Sequence, residues 1–180
     1  MLKVNITYIS AEEAITYLES IATKVENDTY IIPLHPKGDF TVTNYKKEQM
    51  FTIIFSNELE FEQLEQINLV IQQIGAHCKN GLIDDSKAFV GYLDDGESAY
   101  IIKRFGEWRR FILEAKHKSM EGQKVAVYDN QNELGTGLLL GYSLKEGIDF
   151  NVHKVTLLTA SGEQTYDGTH LTVKTTGEYF

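Results

Sequence analysis

Five histidines, at 35, 77, 117, 153 and 170, and one cysteine, Cys78, are the residues of this chain best suited to nucleophilic or metal chemistry. A helical zinc or proton-transfer site places two such groups four residues apart on one face, and no histidine pair has that spacing. His77 and Cys78 are adjacent, and neighbours at a helix end point in different directions, so they make a nucleophile pair only on an irregular backbone. The plainer reading is a helix-terminal histidine beside a buried thiol. His35, directly before Pro36, reads as a turn residue rather than a base. A site assembled from distant residues, such as His35 or Asp39 with His77, would carry no motif. The chain is therefore expected to bind something rather than transform it.

Gly135, Gly137 and Gly141 could suggest a phosphate-cradling loop, but such a loop follows a strand and opens a helix, and here strand-like sequence follows. They read instead as glycines at a bulge or sharp bend. No cofactor is expected. Asp84, Asp85, Asp94 and Asp95 bracket a strand at 88–93. At about 3.3 Å per residue the two pairs stand roughly 20 Å apart, too far to converge on one cation, so no metal site is expected. Together with Glu58 and Glu62 they form an acidic face suited to a basic partner.

Positive charge gathers at Lys103, Arg104, Arg109 and Arg110 around Phe105 and Trp108. Cations among aromatic rings suit phosphate contact and base stacking. The same residues also serve as the wet face and core face of an amphipathic helix, or dock that helix between two acidic bodies.

These groups must be positioned by a strand at 2–9, a helix at 10–25 with Ser10 and Glu13 as a capping box, and strands at 29–34, 40–44 and 50–56. A second helix is predicted from 58 to 74, capped by Asn57, with Phe61, Leu64, Ile67, Ile71 and Ile74 on one face. A hairpin at 88–93 and 98–105 turns through Asp94, Asp95 and Gly96. A basic helix at 107–119 turns Trp108, Phe111, Ile112 and Ala115 toward a core. This order predicts an α+β domain over 1–119, with two helices on one face of an antiparallel or mixed sheet, ferredoxin-like or related, and the basic helix at its end.

From 122 to 180 no helical period appears. Strands are predicted at 124–128, 136–144, 151–159 and 171–175, with a short fifth at 164–166. Strands this short hide their edges by closing into a small barrel. The run Gly-x-x-Val-x-Val-Tyr-Asp at 122–129, then Gly-x-Gly at 135–137, resembles the opening of an SH3-like barrel. That resemblance covers a third of the chain and implies a fold, not a function.

The net charge of −9 is uneven: residues 1–102 hold 7 cations against 16 acids, 103–121 hold 6 against 3, and 122–180 hold 4 against 7. Two acidic segments disfavour non-specific nucleic-acid binding, which needs a concentrated basic face. Apolar and polar residues alternate from the first positions, so no secretory h-region is read, and no run approaches the roughly 18 to 20 apolar residues that span a bilayer. With a single cysteine, neither an internal disulfide nor a Cys-pair zinc site can form, and a cytoplasmic home is expected. The expectation is a non-enzymatic binding or inhibitory protein whose acidic face takes a basic protein partner, as immunity proteins and phage-type nuclease inhibitors do. The alternatives are a nucleic-acid or nucleotide binder using the basic helix with Tyr128, Tyr142 and Tyr166, and an enzyme whose site the sequence does not show.

Overall fold

The computed structural model describes residues 1–145, 147 and 150–177. The chain is mixed α+β and divides into two compact units, Met1–Phe105 and Gly106–Phe180. Every strand pairing among the described residues is antiparallel. None of their helices is long and apolar enough to cross a membrane.

The first unit runs β1 (Leu2–Thr7), α1 (Glu12–Ile21), β2 (Thr23–Val25), β3 (Thr29–Pro33), β4 (Asp39–Tyr45), β5 (Met50–Phe55), α2 (Phe61–Ala76), β6 (Leu82–Lys87), β7 (Phe89–Tyr92) and β8 (Ser98–Tyr100). Six of these strands form one sheet in the order β2-β3-β4-β5-β1-β6, and β7 and β8 form a separate pair. Alternation along each strand sorts the side chains onto two faces. Cross-strand register lines up Val4, Ile53, Val42 and Tyr30 in one row, all fully buried. On the opposite face the row is Asn5, Thr52, Thr43 and Thr29, where Thr52 donates to Asn5 at 3.0 Å and the Thr29 and Thr43 hydroxyls lie 3.0 Å apart. Ala14 and Leu18 of α1 and Leu64, Ile67, Ile71 and Ile74 of α2 supply the helical side of the core. The β-α-β-β-α-β order of ferredoxin-like folds has two strands between its helices. Four stand there in this chain.

Helix ends differ from the sequence expectation in instructive ways. Ser10 does not cap α1, because its carbonyl accepts the Lys79 amide at 2.9 Å in an isolated bridge; Ala11 takes the cap position with no side-chain bond. The helix stops at Ile21, and Thr23–Val25 leave it for the sheet, pairing with Ile31, Tyr30 and Thr29. In α2 the cap is Glu60 rather than Asn57, with Gln63 completing the reciprocal box. Glu58 therefore precedes the helix. Phe105, expected at the end of a strand, starts α3 (Phe105–Ser119).

The second unit holds most of α3, then β9 (Lys124–Asp129), β10 (Asn132–Leu144), β11 (Val152–Thr159) and β12 (Gly162–Thr175), whose pairing closes into a ring β10-β11-β12-β9. The short strand expected at 164–166 and the one at 171–175 are one continuous β12. Inside the ring lie Val125, Val127, Leu139, Val152, Val155 and Leu157, joined by Met120 just after the helix. On α3, Trp108 is buried and Phe111 and Ile112 half-buried as expected, but Ala115 is exposed. His117 and Met120 carry the buried face onward instead. The ring glycines act as bends: the β9 register shifts between Glu133 and Gly135, and the β11 register between Leu139 and Gly141. At Gly137 an added Cβ would sit 2.6 Å from the backbone oxygen of Leu158, so no larger residue fits between those strands.

Candidate functional site

The acidic residues singled out by the sequence fall at separate places with separate jobs. Glu58 and Glu62 are exposed at the start of α2. Asp84, on β6, accepts the Ser86 amide at 3.1 Å. Asp85 is structural: one of its oxygens accepts the amides of Ile102 and Lys103, at 2.8 and 2.7 Å, and so fixes the loop between β8 and α3. Asp94 is exposed at the hairpin turn, while Asp95 accepts the Glu97 amide at 2.8 Å.

The basic residues are largely consumed within the chain. Arg104 pairs with Asp95 at 3.5 Å and also with Glu97. Arg110 bonds Glu114 one turn on, at 2.6 Å, and donates to the Gly147 carbonyl. Arg109 is half-buried and already engaged. Trp108 is only 7% exposed, so its faces are not offered for stacking. The tyrosines of the ring are occupied as well. Tyr142 packs on His117 and donates to the Glu114 carbonyl, Lys174 lies over the Tyr128 ring, and Tyr166 packs on the ring core.

His35 and His77 are not brought together. Gln66 binds His35 through both main-chain groups near the start of α2, whereas His77 caps its end. His77 lies eleven positions along the helix from Gln66, roughly 16 Å at 1.5 Å per residue. Among the described residues no three His, Cys, Asp or Glu side chains are placed to hold a metal ion.

What the fold does build is a cleft between the start of α1 and the end of α2. Two backbone bonds, Ile9 N to Lys79 O at 3.0 Å and Lys79 N to Ser10 O at 2.9 Å, pin the segment after β1 to the segment after α2. One part of the cleft, about 320 Å³, is lined by Ser10, Glu12, Glu13, His77, Cys78 and Lys79. An adjoining part of about 350 Å³ is lined by Glu13, Thr16, Tyr17, Ser20 and His77. Glu13 and His77 belong to both.

The Tyr17 and His77 rings are stacked, 5.3 Å between centroids and 3° from parallel. His77 Nδ1 lies 2.7 Å from the Gln73 carbonyl, which can only accept. Nδ1 therefore carries a proton, and in the neutral ring Nε2 is the acceptor. Cys78 is 7% exposed, and burial pushes its thiol up to about 11. A thiol held that far above neutrality is a poor nucleophile. Burial also raises the Tyr17 phenol. Glu12 and Glu13 are exposed and make no ion pair among the described residues.

His77 was legible as a helix-terminal histidine. Its stacking on Tyr17, and the cleft it lines with Glu13, were not, since nothing in the spacing of residues 10–17 and 76–79 connects them. Comparison with protein-family models, with curated proteins and with solved structures finds no match to this chain.

Proposed function

We propose that the chain is a non-enzymatic binding protein whose acidic first unit engages a basic protein partner, as an immunity protein or phage-type inhibitor does. The observation that carries this reading is how the charges are spent. Met1–Phe105 holds 16 acids against 9 cations. Arg104 is neutralised inside that unit, while Glu12, Glu13, Glu58, Glu62 and Asp94 are exposed and unpaired among the described residues. Carboxylates left facing water steer and select a basic partner. Binding to nucleic acid has less support, because the arginines and Trp108 on which it would rest are engaged or buried. We read the second unit's ring as SH3-like on residues 122–129 and 135–137, with contact to protein or a small ligand, rather than to nucleic acid, as its use.

Calorimetric titration with an arginine-rich decapeptide at low salt tests this reading. The expected result is binding that weakens as salt rises and is lost in the E58K/E62K/D94K variant. Equal affinity in that variant, or no binding by the unaltered chain, would overturn it.

A further inference from the structure

We propose that the cleft between α1 and α2 is the receptor for a single arginine side chain, held between the Glu13 carboxylate and the stacked rings of Tyr17 and His77. This rests on the binding reading above and names the place and chemistry of one contact. Three features point to a guanidinium. It is planar, so it lies on an aromatic face; Tyr17 and His77 cover each other's inner faces, and since both line the cleft, an outer face of their stack is the one it meets. It offers a fork of N–H donors that a carboxylate accepts in bidentate fashion, and Glu13 borders both parts of the cleft without an ion-pair partner among the described residues. It also has donors to spare, which suit the hydroxyl oxygens of Thr16 and Ser20 along the same wall.

Lys79 stands in the Ser10 part of the cleft and opposes any cation there, so the guanidinium seats in the Tyr17 part, which Lys79 does not line. The site is thus matched to one arginine rather than to a basic run. A lysine ammonium is a point charge that neither forks nor lies flat, so it fits this arrangement less well.

The test is a titration of the isotope-labelled full chain with N-acetyl-arginine amide, N-acetyl-lysine amide and the arginine-rich decapeptide, followed by the ring resonances of Tyr17 and His77. The arginine amide is expected to shift both rings, about tenfold more tightly than the lysine amide, and E13Q to weaken it by about tenfold. H77F, which keeps a ring to stack on, is expected to retain arginine binding. Silent rings, or an affinity unchanged by E13Q or equal for lysine, would overturn the inference. If the decapeptide binds while both rings stay silent, the cleft fails as the receptor and the acidic-unit reading stands. If neither probe binds, both fail.

Discussion

The two units solve the same problem, a sheet with an apolar face, in opposite ways. In Met1–Phe105 the sheet stays open: one face is buried, the other carries the threonine and asparagine row, and the elements around it end at different places. Loose ends leave recesses, and the cleft at His77 is one. In Gly106–Phe180 the sheet closes, so the core lies inside the ring and its strands have partners on both sides. The open unit therefore relies on its helices to cover the apolar face, while the closed unit covers its own with the strands of the ring.

Core substitutions give the largest effects by which this contrast can be broken. Phe51, fully buried on the covered face, is expected to cost the first unit about 3–5 kcal/mol as F51A. Leu157, fully buried inside the ring, is expected to cost the second about 2–5 kcal/mol as L157A. Amide hydrogen exchange resolved by residue reads each loss, and a small effect at either position would mean that its core is misidentified.

Next come substitutions that probe how closely elements approach. G137A drives a methyl against the Leu158 carbonyl and is expected to destabilise by about 1–3 kcal/mol, while G141A meets nothing within 4 Å and changes little. Equal denaturant midpoints for the two would contradict the tight β10–β11 contact. In the first unit, D85A removes the acceptor of two backbone amides and is expected to cost about 1–3 kcal/mol in urea unfolding. D85N, which keeps one acceptor oxygen, is expected to lose less.

A subtler difference is pH. His117 is buried beside Phe150 and Tyr142, with centroids at 4.5 and 5.4 Å, and its Nδ1 donates to the Leu113 carbonyl at 3.0 Å. Burial lowers its pKa, aided by the charge of Lys116 and opposed by the Leu113 bond. The unfolded chain thus binds a proton more readily than the folded one. Stability from this residue is complete above the unfolded value of about 6.5 and is lost as pH falls below it, through the folded value. H117F is expected to flatten that part of the pH profile of second-unit unfolding, and an unchanged profile would show that another group is responsible.

Much of the architecture was legible because it depends on local pattern. The alternation of β3 to β5, the stripe of α2 and the glycine bends of β10 are all written in short windows. What escaped depended on distant partners. Ser10 looks like a cap until Lys79 claims its carbonyl, and Asp85 looks like surface charge until the amides of Ile102 and Lys103 arrive. Residues 23–25 looked like the end of a helix until β3 offered them a ladder, and β6 became a strand only beside β1. The sequence marked Arg104 and Arg110 as cations but did not show their pairing with Glu97 and Glu114.

The most direct test of the proposal that the first unit, and not the second, receives the partner is hydrogen exchange of the full chain with and without the arginine-rich decapeptide. Exchange is expected to slow in residues 10–20, 57–66 and 76–79, with the strands of the ring unchanged. Slowing confined to α3 and residues 124–175 would contradict the account and place the binding surface on the second unit.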